Sequence, residues 1–163
     1  MPEPLPRLLF VCIENSCRSQ MAEGFAAVLG QGRVAAFSAG SKPSGRVDPR
    51  ARRFMAEKGI DLSGHRSKGL NDVPSDVTWD WIVTMGCGDA CPLLPARHRL
   101  DWDLPDPKAL DDAGFRAVRD EVERRVQSLI KDAVGPTVPF KEQGRWRRAV
   151  GRPPGRAPRG PRA

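Results

Sequence analysis

The stretch Phe10-Val-Cys12-Ile-Glu-Asn-Ser-Cys-Arg18-Ser19 decides how the rest of the chain is read. Before it lies a short apolar run, Arg7-Leu-Leu-Phe-Val11, that reads as a buried strand. After it, from Ser19, Met21, Phe25, Ala26 and Leu29 recur at helical spacing up to a stop at Gly30. Cys12 thus follows a strand and Arg18 opens a helix. A short loop between the two turns successive backbone N–H groups into an anion nest, and the helix N-terminus adds free donors and the positive end of its dipole. Arg18 brings a planar fork suited to two oxyanion oxygens. A thiol in such a place has its thiolate favoured. A tetrahedral oxyanion held by this loop would sit directly in front of a nucleophile. The competing reading is an unreactive cysteine buried behind a core strand. The arginine six residues on, the polar Asn15 and Ser16, and the helix start all favour catalysis.

Working outward, Val34 to Phe37 reads as a second strand, ended by a turn at Ser38-Ala-Gly40. Pro49 to Lys58 is a helix with Asp48 as N-cap, Pro49 at its first position and Gly59 as terminator. Trp79 to Met85 is a third strand, and Arg99 to Trp102 a short last one within a loop rich in proline and aspartate. Asp112 to Val134 forms a long amphipathic helix with Phe115, Val118, Val122, Val126, Leu129 and Ile130 on one face. Strands alternating with helices predict an α/β fold, a three-layer sandwich in which a four-stranded parallel sheet is flanked by helices. The working site of such a sheet lies beyond the carboxyl ends of its strands. Both cysteine pairs, Cys12 with Cys17 and Cys87 with Cys91, follow predicted strands there.

The chain has 163 residues and a net charge of +7. All of that excess sits beyond residue 135, where eight basic residues face the single acid Glu142. Residues 1–135 are therefore read as one neutral folded domain. Residues 136–163, rich in Pro, Gly and Arg, read as a disordered basic tail with too few apolar residues to offset the entropy of ordering. The longest early apolar run, Leu8 to Ile13, is too short for a secretory signal core, so the expected location is the cytoplasm and no membrane contact is expected. Four cysteines there are too few for a disulfide scaffold and point to redox, metal or catalytic chemistry.

The run from Phe10 to Gly24 resembles the signature of low-molecular-weight protein tyrosine phosphatases, and more closely that of their relatives, the thioredoxin-coupled arsenate reductases. The likeness continues through Ser38-Ala-Gly40, Gly59-Ile-Asp-Leu-Ser63, Val83-Thr-Met85 and Asp106-Pro107, covering residues 7 to 133. It implies Cys12 as nucleophile, Arg18 as oxyanion clamp, Ser19 as a hydrogen-bond partner of the Cys12 thiolate, and Asn15 as a brace of the loop. Glu14, Asn15, Ser16, Cys17 and Arg18 would line the substrate. Asp106 matches the acid that protonates a leaving group, although an Asp-Pro is also simply a good turn. Tyrosine phosphatases of this family carry tyrosines just after it, whereas here Lys108 follows and the chain has no tyrosine.

A phosphatase has no need of Gly86-Cys87-Gly-Asp-Ala-Cys91-Pro92. Two thiols with three residues between them on a glycine-containing loop can meet as a disulfide if the backbone bends. They could also be structural thiols, or half of a zinc site. Zinc would want two further ligands, and His65 and His98 show no paired spacing, so no metal is expected. The resemblance implies a relay in which Cys87 and then Cys91 resolve the adduct on Cys12. No cofactor is expected, electrons coming from thioredoxin or another thiol reductant. The alternatives are a phosphatase using Cys12, Arg18 and Asp106, and a redox-sensing binding protein. Cys17 is expected outside the relay.

Two departures from the resemblance stand out. Glu14 occupies a position where a small residue is usual, and its carboxylate is expected to point outward. Some reductases bind a potassium ion beneath the loop through an asparagine, a glutamate, a serine and an aspartate. Asn15, Glu23 and Ser38 match three of these, while Lys68 stands at the fourth, so its ammonium is expected to replace the ion; the alternative is a solvated surface lysine. The basic tail could touch nucleic acid, but its two aromatics, Phe140 and Trp146, form no recognised motif.

Overall fold

In the computed structural model, which describes residues 4–86 and 94–134, four strands and three α-helices follow in the order β1 (Arg7–Cys12), α1 (Arg18–Leu29), β2 (Ala35–Gly40), α2 (Pro49–Ala56), β3 (Trp79–Thr84), β4 (Ala96–Asp101) and α3 (Asp112–Val134). Short 3₁₀ turns lie at Leu70–Asp72 and Pro107–Ala109. The sheet is wholly parallel, in the order β2-β1-β3-β4. Cys87, Cys91 and the tail 136–163 fall outside the described residues.

β1 is central and buried on both faces, which is why it reads as an unbroken apolar run. Its side chains alternate between two cores. Leu8, Phe10 and Cys12 face the α-helices, and Leu9 and Val11 face the opposite layer with Trp79, Ile82 and Val73. All three α-helices pack on the first face. The opposite layer is thin, formed by the 3₁₀ turn at Leu70–Asp72 and the chain leading to β3.

The predicted α3 face is buried at all six positions. Phe115 packs at a tilt against Phe54 of α2 with ring centroids 5.1 Å apart. Beside them the buried Arg119 donates to the Phe54 carbonyl at 2.9 Å and to Glu57 at 2.6 Å, fastening α3 to α2. Asp48 caps α2 by accepting from the Arg50 N–H at 2.8 Å, with Pro49 at the first position, as the sequence predicts. Trp79 packs edge-on to Phe37, Trp102 lies against Phe10, and Trp81 stacks on His98.

Two expectations shift. Ser38-Ala-Gly40 is not a turn but the last half of β2, because parallel pairing with β1 continues through Val11–Ala39 and Cys12–Gly40. β4 starts at Ala96 rather than Arg99. Five of its six residues are exposed on an edge, so no apolar pattern announced it.

Phe115→Ala removes a fully buried ring between α2 and α3. It should cost about 3–5 kcal/mol of stability, read as a lower midpoint in urea unfolding.

Candidate active site

From β1 the chain moves to β2 on one side, and β3 then lies on the other, so the sheet reverses direction at β1. The crevice at such a reversal opens beyond the strand's carboxyl end, and Cys12 is the last residue of β1. Residues 13 to 17 loop over to α1, whose N-terminus has no side-chain cap and whose first-turn N–H groups are therefore left for another acceptor.

Behind the loop lies Gly40. A Cβ there would come within 2.6 Å of the Ile13 carbonyl and 2.9 Å of the Asn15 nitrogen, so the close approach requires glycine. β2 continues into the same contact, with Ser41 N–H donating to the Cys12 carbonyl and Lys42 N–H to that of Ile13.

Asn15 is held at a φ of 50°, a left-handed conformation that asparagine tolerates better than most residues. Its N–H donates to Cys12 Sγ at 3.2 Å. Its side-chain amide donates to Ser19 Oγ at 2.7 Å. Because Ser19 Oγ accepts that bond, its own hydrogen is free to point at Cys12 Sγ, 2.9 Å away. Two donors thus converge on the sulfur. The Asn15 carbonyl oxygen Oδ1 accepts from Gln20 Nε2 at 2.7 Å and from the Lys68 N–H at 2.8 Å.

Beneath this network Lys68 extends its ammonium to Ser38 Oγ (3.4 Å), the Arg66 carbonyl (3.3 Å) and Glu23 (3.7 Å). His65 Nδ1 lies 3.1 Å from both Glu23 Oε2 and Gln20 Oε1. Lys68 therefore faces inward rather than into solvent. Gln20 and His65, which sequence reasoning missed, complete the support. Their signal was the polar Gln20 on the buried side of α1.

A cavity of about 90 Å³ opens above Cys12, lined by Cys12, Ile13, Glu14, Ser16, Cys17, Arg18 and Asp106. The floor is closed: Cys12 is 2% exposed and Arg18 6%. Arg18 donates to the Leu104 carbonyl at 3.2 Å and approaches Asp106 at 3.9 Å. A Cβ on Gly86 (φ +81°) would lie 2.6 Å from Arg18 Nη1, so the chain presses against the arginine one residue before Cys87.

Glu14 does not simply turn outward. It lines the cavity and pairs with Lys108, whose hydrogen bond holds the Glu14 carboxyl below its ordinary range. Partial burial is the largest single influence on Lys108 and works against its charge, but the hydrogen bond to Glu14 and the nearby acidic groups Cys17, Glu14 and Asp106 together raise the ammonium's pKa. Cys17 is pushed up to about 12, first by burial and then by the nearby Asp48 carboxylate. It is a protonated packing group at neutral pH.

Among the described residues no three His, Cys, Asp or Glu side chains come together as a metal site, and no helix is long and apolar enough to cross a membrane.

The family model for low molecular weight phosphotyrosine protein phosphatases matches residues 7–136. The glutaredoxin arsenate reductase of Synechocystis is 42% identical over 129 residues, which is 77% of this chain and 97% of that protein. A solved arsenate reductase in its phosphate-binding state superposes with a TM-score of 0.71 at 40% identity, covering 79% of this chain and 99% of that one. A thioredoxin-dependent arsenate reductase of Corynebacterium glutamicum gives 0.69 at 32% identity, over 82% and 64%.

The Cys17 thiol sets a pH prediction. An unfolded thiol loses its proton near about 8.5, whereas the folded one keeps it to about 12. Between those values the unfolded state binds fewer protons, so stability falls as pH rises. Urea unfolding at pH 8 and pH 10 should show a loss in the parent protein that is smaller in Cys17→Ala.

Proposed function

Starting from the fact that this chain belongs to the low-molecular-weight phosphotyrosine protein phosphatase family, we propose that it reduces arsenate to arsenite by a three-thiol relay. The observation that carries the reading is the contact between Gly86 and Arg18. It sets Gly86, the residue before Cys87 in the sequence, against an arginine that lines the Cys12 pocket, and so supports a role for a second thiol that a phosphatase does not need.

Arsenate enters against the loop N–H groups and the Arg18 guanidinium, which balances its charge. The Cys12 thiolate, steadied by Ser19 and Asn15, attacks arsenic, and an oxygen leaves as water with a proton supplied by Asp106. Cys87, as thiolate, then attacks the Cys12 sulfur. The S–S bond forms as the As–S bond breaks, and that electron pair stays on arsenic, which departs as arsenite. Cys91 attacks Cys87, freeing Cys12 and leaving a Cys87–Cys91 disulfide. Two thiols have lost two electrons and two protons in all. Each step is an in-line thiolate exchange. A dithiol reductant of the thioredoxin kind resets the enzyme. Arsenate and phosphate have the same shape, so Cys12, Arg18 and Asp106 also support slow hydrolysis of small phosphomonoesters.

The test is arsenate-dependent NADPH oxidation with thioredoxin and thioredoxin reductase, and in parallel with glutathione and glutaredoxin. Turnover is expected with the dithiol system and should vanish in Cys12→Ser, Cys87→Ser and Cys91→Ser. Hydrolysis of p-nitrophenyl phosphate should vanish in Cys12→Ser and survive in Cys87→Ser. Turnover that persists in Cys91→Ser rejects the relay. Phosphatase activity without arsenate turnover moves the assignment to a phosphatase.

The Lys68 ammonium, set between Glu23 and Ser38, supplies the positive charge that an ion beneath the loop would bring. Arsenate turnover should therefore be equal in potassium and sodium buffers of the same ionic strength; stimulation by potassium rejects this role.

A further inference from the structure

An ion pair stands at the edge of the Cys12 pocket: Glu14 lines the cavity, and its partner Lys108 lies two residues beyond Asp106, which lines it too. Exposure rises steadily from the floor, where Cys12 and Arg18 are buried, to the rim, where the side chains of Lys108, Glu14 and Asp106 are 35%, 44% and 50% exposed. One wall is the anion loop, which carries Glu14. The other is the segment Asp106-Pro107-Lys108, braced by the Lys108 N–H donating to Asp106 Oδ1 at 3.1 Å. Lys108 Nζ hydrogen-bonds Glu14 Oε2 across 94 residues of sequence and so ties the two segments together through side chains that are partly exposed. Ser16 Oγ lies 3.4 Å from the same carboxylate oxygen and steadies it.

We propose that the Glu14–Lys108 pair is a specificity strap, admitting a free inorganic oxyanion and turning away one that carries an organic group. The idea rests on the oxyanion reading of the pocket. In an in-line displacement the leaving group points directly away from the attacking sulfur. With Cys12 at the floor, an ester oxygen and its substituent must point outward, past Asp106, into the space where Glu14 and Lys108 meet. Inorganic arsenate or phosphate carries nothing on that oxygen and fits beneath the pair. The two charges also cancel at the rim, so Glu14 does not repel an incoming anion. Among the described residues lining the cavity none is aromatic, so none offers a platform for an aryl ring.

The experiment compares inorganic phosphate with phenyl phosphate, measured by calorimetry on full-length Cys12→Ser, which binds but cannot turn over. To this background are added Lys108→Ala, Glu14→Ala and the two together. The double variant leaves the net charge unchanged, so it isolates the strap from the field. Phosphate should bind more tightly than phenyl phosphate by about tenfold in the background protein. In the double variant the gap should close by gain in phenyl phosphate affinity. Lys108→Ala, which leaves the loop sequence intact, should close part of the gap and serves if the Glu14 change disturbs folding. Equal factors for both ligands, or no preference at the start, overturn the strap. Discrimination that behaves as expected in a protein without arsenate turnover upholds the strap and rejects the reductase assignment. Turnover accompanied by equal factors does the reverse.

Discussion

One asparagine holds the reactive sulfur in place. Asn15 reaches Cys12 with its backbone N–H, Ser19 with its amide nitrogen, and Gln20 and Lys68 with its amide oxygen, all from a left-handed backbone. That conformation costs energy for a residue with a Cβ, and it persists because the surroundings over-determine it. Gly40 presses on the loop from β2, Ser67 and Lys68 bond to it from the chain beyond α2, and Gln20 from α1. Three separate stretches of sequence thus converge on one loop. A change in any of them is transmitted to Cys12 without touching it.

The topology explains why such convergence is available. Parallel strands end on the same side, and the sheet reverses at β1, so the termini of β2 and β3 flank Cys12 while α1 leaves from directly above it. β1 can carry the nucleophile because it is buried on both faces and pinned by two neighbours. Edge strand β4 could not offer the same rigidity; the chain that follows it reaches the site with the Leu104 carbonyl and Asp106.

The anion loop, the central strand and the α3 face were readable because each is written in local sequence. Cys12 and Arg18 are six residues apart, and α3 repeats its apolar residues every turn. What stayed hidden depends on partners distant in sequence. Glu14 looked like an isolated charge because Lys108 lies 94 residues away. Gln20 and His65 read as ordinary polar residues, since the bond between them and the bond from Gln20 to Asn15 exist only after folding. Ser38-Ala-Gly40 has the composition of a turn and becomes strand because β1 supplies the ladder. Arg119, a charged residue at a buried position, could not be told from a solvated one until Phe54 and Glu57 came against it.

Charge at the pocket follows one logic. An oxyanion must settle beside a sulfur nucleophile, and every further negative charge in that space would oppose it. The cavity lining contains three acidic groups besides Cys12, and each is disarmed in a different way. Cys17 is kept protonated by burial and by Asp48. Glu14 is matched by Lys108 at the rim. Asp106 faces Arg18 at 3.9 Å, far enough to leave the guanidinium's remaining donors for a ligand. The positive charge left over is that of the loop N–H groups, the α1 N-terminus and the buried fork of Arg18. A tetrahedral anion is therefore drawn to the floor, where Cys12 waits, and not to the rim.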